Sequence, residues 1–216
     1  MTNRPEFFSY GANDTISSRQ QALVNNQFSS DVTFLVGPEK KRIYGHKMFL
    51  TVASQYFYLM FYGSLNNPDN NEYIVEGVEP DVFEEVLRYM YSKTVALTLD
   101  NVRNIFDFSK KCQLTELLQT IEKFLRNEIN RATTLRIFQD NAHYGYSAID
   151  QACLNNIRKN TSCYLNNEDF TNINMDRLNK ILHMNEINCT TEQLQKALET
   201  WHAANSDSDF NLFEIR

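Results

Sequence analysis

Residues 31–61 read DVTFLVGPEKKRIYGHKMFLTVASQYFYLMF, and the fold is decided there. Asp31-Val32-Thr33-Phe34-Leu35-Val36 is rich in β-branched and aromatic residues, so it predicts a strand. Gly37-Pro38 breaks it, and Arg42-Ile43-Tyr44 returns as a second strand, with Lys40-Lys41-Arg42 at the hairpin tip. From His46 the pattern turns helical through Met48, Phe49, Val52, Phe57, Leu59, Met60 and Phe61, with Gly63 as the expected C-cap.

Outward from this stretch the spacing stays consistent. Thr15 to about Phe28 predicts a helix with a thin apolar stripe of Ile16, Leu23, Val24 and Phe28, which needs a surface to pack on. Residues 1–14 read as a flexible arm holding Phe7, Phe8 and Tyr10. Downstream come a polar loop at 66–71, a short strand at Tyr73-Ile74-Val75, and a helix opened by Pro80. Val95-Ala96-Leu97 reads as extended, and Asp100 as the N-cap of a helix carrying Val102, Ile105 and Phe106. Leu114, Leu117, Leu118, Ile121, Leu125 and Ile129 give the clearest helical period in the chain.

After about Asn130 no strand signal remains. Helices are expected at 133–143, 148–159, 175–183 and from Thr190. Ser147-x-x-Asp150 and Thr190-x-x-Gln193 both have capping-box form. The expected organisation is a 1–14 arm, an α+β domain over 15–130, an all-helical domain over 131–204 and a tail over 205–216.

Composition narrows the function. The 216 residues carry a net charge of -6, with 21 basic and 27 acidic side chains, so no basic footprint for nucleic acid is expected. The longest apolar run, Tyr56 to Tyr62, is far short of the ~20 residues of a membrane span. No secretory signal is read at the N-terminus, and four scattered cysteines form no CxxC pair. The expected home is the cytoplasm, with the nucleus as a second compartment. There is no G-x-S-x-G elbow and no glycine-rich phosphate loop, so catalysis is not expected. Glu84-Glu85 and Glu168-Asp169 read as solvated charges, and Cys189 with His202 lacks the second close pair a metal needs. No cofactor or metal is called for. His46, where strand becomes helix, is expected to hydrogen-bond the backbone.

Two motifs carry a resemblance. Asp31-Val32-Thr33-Phe34-x-Val36 followed by His46-Lys47-x-x-Leu50-x-x-x-Ser54-x-x-Phe57-x-x-Met60-Phe61 resembles the BTB (POZ) domain. Glu79-Pro80-Asp81-Val82-Phe83 with Leu87-Arg88-Tyr89-Met90-Tyr91-Ser92 matches its next segment, and the likeness covers about 20–128. The helical remainder is similar to the BACK region that follows many BTB domains, through Thr191-Glu192-x-Leu194-x-x-Ala197-Leu198-x-x-Trp201. The layout is most similar to the BTBD subfamily.

The resemblance implies the BTB/POZ fold, a small sheet with helical hairpins, followed by the all-α BACK-like region. It implies a protein-interaction module without catalysis that forms a homodimer through Leu23, Val24 and Phe28, with Met48, Phe49 and Val52 nearby. It further implies docking of cullin-3, as the substrate adaptor of a ubiquitin ligase, through Phe61, Tyr62, Leu65 and Asn67. In the family an apolar-x-Glu motif occupies the slot of Leu65-Asn66-Asn67. Here Asn67 replaces the glutamate, and losing a charged acceptor costs about 1.5–3 kcal/mol where the partner presents a donor. The chain stops soon after Trp201, where adaptors usually continue into a substrate-holding domain, so the substrate protein is undefined. The alternative is a cullin-independent dimerisation scaffold, or a competitor of other BTB proteins.

Overall fold

The structure is a computed structural model that describes residues 15–63, 71–184 and 187–205. The arm, Leu65, Asn67 and nearly all of the tail lie outside the described residues. By its internal contacts the chain divides into two compact units, residues 1–121 and 122–216. The architecture is the expected α+β unit followed by an all-helical one.

In the first unit, β1 (Val32–Val36) pairs antiparallel with β2 (Lys41–Gly45) and parallel with β3 (Glu72–Val75), giving the order β2-β1-β3. The β1 side chains alternate between buried and half-buried, as a one-sided sheet requires. Phe34 is the hub of the core. Its ring stands 5.7 Å from Phe57, 6.2 Å from Phe61 and 5.0 Å from Phe83. Gly45 is required by this hub, because a Cβ there would come within 2.9 Å of the Phe34 ring.

Two of the three basic residues expected at the hairpin tip belong instead to β2. Lys41 pairs with Glu84 and Arg42 with Glu72. Only Lys40 stays in the turn, with φ 52.

The helix expected over 15–28 is much shorter: α1 spans Ile16–Gln21, capped by the Thr15 hydroxyl, which accepts from Ser18 N. Asn25 adopts φ 50 and ends any continuation. Its side chain accepts from Tyr44 N on the edge of β2 and donates to Glu84. Asparagine tolerates the left-handed region and serves as a backbone mimic, so the segment becomes an edge cover rather than a helix.

The helical run from His46 is also two helices, α2 (Lys47–Ala53) and α3 (Gln55–Tyr62). Ser54 is extended between them and caps α3 through a bond from Phe57 N. Its hydroxyl also donates to the buried Cys112 carbonyl at 2.7 Å. Ser54→Ala should therefore cost about 1–3 kcal/mol, from a lost cap and an orphaned carbonyl. A urea midpoint that does not move would contradict this. Gly63 caps α3 as expected, and a Cβ there would sit 2.3 Å from the Leu59 carbonyl.

The amphipathic helix α4 (Pro80–Ser92) does open on Pro80 and closes on Lys93 in the left-handed region. α1 lies against it, with Ser17 Oγ donating to the Ser92 carbonyl. Residues 95–97 form no strand. The backbone of Ala96 is occupied by side chains instead, the amide by Glu85 and the carbonyl by Asn101. The N-cap of α5 (Val102–Lys111) is Asn101, not Asp100. Asn101 and Thr98 exchange side-chain bonds to each other's amides, which fixes the helix start one residue later. Then α6 (Thr115–Glu128) follows the strong leucine period.

The second unit contains α7 (Thr134–Tyr144), α8 (Ser147–Lys159), α9 (Thr161–Leu165), a 3-10 turn at Glu168–Asn172, α10 (Met175–Leu182) and α11 (Thr191–Ala204). The capping box at Thr190 and Gln193 forms as expected. The one expected at Ser147 does not: Tyr146 is the N-cap. Asp150 is drawn instead to Asn141, Arg177 and Lys180. Helix α11 is anchored by the buried Trp201, whose indole N–H donates to the Ile173 carbonyl at 2.8 Å.

Candidate protein-interaction surface

Helix α2 is built to be held from behind and bare in front. Its first free amide, Lys47 N, donates to the Asp31 carboxylate at 2.7 Å. His46 precedes it. The His46 amide donates to the Tyr91 hydroxyl, and the ring places Nδ1 against the same hydroxyl and Nε2 against the Phe28 carbonyl, each at 2.8 Å. Nε2 can only donate to that carbonyl, while the Tyr91 hydroxyl can either donate or accept at Nδ1. The histidine does bond the backbone at the strand-to-helix junction, and it ties the segment ending at Phe28 to α2. Burial pushes the Tyr91 phenol well above its ordinary value. Phe49 stacks on the Tyr91 ring at 4.6 Å.

Opposite this anchor, Met48 and Val52 are 73% and 85% exposed. They stand four residues apart, hence on one stripe, while Leu50 points into the core. Phe28 and Ile16 are also exposed apolar residues. Leu23 and Val24 lie in the turn after α1, half-buried rather than on a helix face. Of the six predicted dimer residues, then, Met48, Val52 and Phe28 are exposed and Leu23, Val24 and Phe49 are half-covered. Ile16, which opens α1, is exposed as well but is not among the six residues expected at the contact.

Helix α3 splits its aromatics by phase. Phe57 and Phe61 point to Phe34 and are buried, while Tyr58 and Tyr62 form an outward pair 5.8 Å apart, with Leu59 exposed beside them. Phe61 is 1% exposed, so the cullin-facing reading of that residue is corrected: it supports the face from beneath. Tyr62 is 59% exposed and does face outward. Tyr58 and Leu59 were missed. The i,i+4 phase of Tyr58 and Tyr62 against Phe57 and Phe61 was the available signal. Leu65 and Asn67 lie outside the described residues.

Chemistry-bearing groups elsewhere are engaged in structure. Glu84 holds Asn25 and Lys41, and Glu85 holds Arg88 and the Ala96 amide. Burial pushes the Cys112 and Cys153 thiols up to about 12, which removes them as nucleophiles at neutral pH. All four cysteines are free. Among the described residues no group of three His, Cys, Asp or Glu side chains could hold a metal ion, and no helix is long and apolar enough to cross a membrane.

Comparison with known proteins identifies the family. The family model for the BTB/POZ domain matches residues 21–129, and that for BACK (BTB And C-terminal Kelch) matches 134–214. BTB/POZ domain-containing protein 6-A of Danio rerio is 29% identical over 194 residues, covering 89% of this chain and 36% of that protein. BTB/POZ domain-containing protein 3 of Homo sapiens is 28% identical over 193 residues, covering 88% of this chain and 37% of that protein. The chain thus spans little more than a third of the length of these curated relatives. Among solved structures, the BTB domain of zebrafish PATZ1 overlaps 46% of this chain and 77% of that one, at 19% identity and a TM-score of 0.39. With the BTB model matching half of its residues and the BACK model most of the rest, the chain belongs to the BTB/POZ family of protein-interaction adaptors and carries a BACK region behind its BTB domain.

Proposed function

We propose that the protein is a non-enzymatic, homodimeric adaptor that presents its BTB domain to cullin-3 and so recruits a substrate protein, not yet defined, to a ubiquitin ligase. The observation that carries this reading is the pair of bare apolar stripes on adjacent helices, Met48 with Val52 on α2 and Tyr58 with Leu59 and Tyr62 on α3. Two stripes suit two partners. Fully burying one side chain such as Met48 or Val52 stabilises a complex by about 1.5–3 kcal/mol. A two-fold contact counts each residue twice, which favours the α2 stripe as the self-contact. The α3 stripe, with two tyrosines, has the amphipathic aromatic character of a hetero-interface. Four free thiols favour the cytoplasm or nucleus as its compartment.

Calorimetric titration with the cullin-3 N-terminal region tests the docking step. Binding is expected with Kd below about 10 μM, weakened at least ~tenfold by Tyr62→Asp. No heat of binding at tens of micromolar would end the cullin reading. The cullin-independent scaffold would then stand, the alternative that Asn67 in the apolar-x-Glu slot already favours.

A further inference from the structure

Strand β3 has a second side on which no described strand pairs. The ladder bonds Thr33 N to Asn71 O and Gly37 N to Val75 O fix its phase. In a parallel pair of this register, residues 71, 73 and 75 turn their amides and carbonyls toward β1. The backbone groups of Ile74 and Glu76 therefore point away from the sheet. In the order β2-β1-β3, among the described residues, no strand receives them.

This edge is short and flanked by Glu72 and Glu76, so what it admits is filtered by charge. The strand carries no proline and leaves Ile74 56% exposed. The β2 edge differs, since the Asn25 side chain covers the Tyr44 amide. Beside β3 opens a cavity of about 770 Å³, lined among others by Ile74, Gly77, Val78, Asn104 and Phe108. Ile74 and Val78 give it an apolar wall.

The geometry points to a strand-addition site: an extended peptide pairs with the free edge at Ile74 and Glu76 and sends one apolar side chain into the adjoining cavity. Charge selects the occupant. Side chains 72, 74 and 76 share one face of the strand and read Glu-Ile-Glu. Glu72 already pairs with Arg42, whereas among the described residues Glu76 makes no ion pair. Glu79 and Asp107 also line the cavity, against Lys40 and Lys111, so acids outnumber bases there. An antiparallel copy of β3 centred on Ile74 would set Glu72 opposite Glu76, and like charges opposite one another repel. A second copy of the chain is thereby disfavoured. The fitting partner alternates basic, apolar, basic on the face that meets Glu-Ile-Glu. This site uses neither exposed stripe of α2 or α3 and stands apart from the adaptor reading.

The test uses the full chain and two capped fluorescent peptides, TKTVTKT and its charge-reversed counterpart TETVTET, followed by anisotropy. The basic peptide is expected to half-saturate below about 1 mM and the acidic one at least ~tenfold higher. Ile74→Pro removes only an outward amide, which edge strands tolerate, and should weaken the basic peptide at least ~tenfold with the thermal midpoint nearly unmoved. Should that variant fail to fold, Glu76→Lys replaces it and is expected to reverse the peptide preference. Hydrogen exchange should slow at the amides of Ile74 and Glu76 when the basic peptide is added. No binding at ~1 mM, or binding indifferent to both Ile74→Pro and Glu76→Lys, would overturn the site. Because Ile74→Pro leaves the α2 and α3 stripes intact, cullin binding and self-association should persist in it.

Discussion

Asp150→Ala is expected to destabilise the second unit by about 3–5 kcal/mol, the range for removing one partner of a buried ion pair. Asp150 accepts from Asn141 at 2.6 Å and from both Arg177 and Lys180. Arg177 is only 4% exposed and stands 4.8 Å from the centre of the Phe138 ring. Removing the carboxylate leaves that guanidinium buried with no counter-charge. The reverse change, Arg177→Met, should cost less, because Asp150 keeps Lys180 and Asn141 and has more access to water. The order of the two costs is thus part of the prediction, and denaturant unfolding of both variants checks it.

The same cluster sets a pH dependence. Burial opposes ionisation of Asp150, yet the hydrogen bonds from Lys180, Asn141 and Arg177 outweigh it and hold the carboxyl below its ordinary range. A depressed folded-state value means the contribution is complete above the unfolded value of about 3.9. It is lost as the pH falls from there through the folded value. The wild type should lose stability over that acid window more steeply than Asp150→Asn, which lacks the titrating group. Parallel acid profiles for the two would remove the cluster from the account.

Val52→Asp should weaken self-association at least ~100-fold. A two-fold contact buries the new carboxylate twice, each time without a partner, and an unpaired buried charge costs several kcal/mol. Val52 is 85% exposed in the isolated chain, so the monomer should barely notice the change. At concentrations dilute enough for both proteins to be monomeric, its thermal midpoint is expected to stay within about 2 °C of the wild type. This separates an interface effect from a folding effect. A variant that sediments as the wild type does would place the self-contact elsewhere.

Much of this was legible in the chain because apolar period and hub residues agree. Phe34 on an alternating strand, Leu50 facing inward from α2, and the leucine ladder of α6 each announce their side of the core. The failures share one cause, which is competition for the backbone by polar side chains. Asn25 and Ser54 interrupt helices that the apolar spacing alone would continue. Asp150 leaves a capping position because a buried arginine, 27 residues away in the chain, claims it. Such long-range partners leave no trace in local spacing. The site was half-readable for a related reason. Met48 and Val52 stand at i,i+4 against an inward Leu50, whereas α3 is apolar all round, and only the fold tells Phe61 from Tyr62. The free edge of β3 was not legible at all, since it depends on the strand order.

We propose that a second copy of the chain covers the bare α2 stripe of its BTB unit. Sedimentation velocity of the wild-type chain at about 10 μM measures this directly. A single species of twice the 25.3 kDa chain mass is the predicted result, and a monomer of 25.3 kDa at that concentration would contradict it.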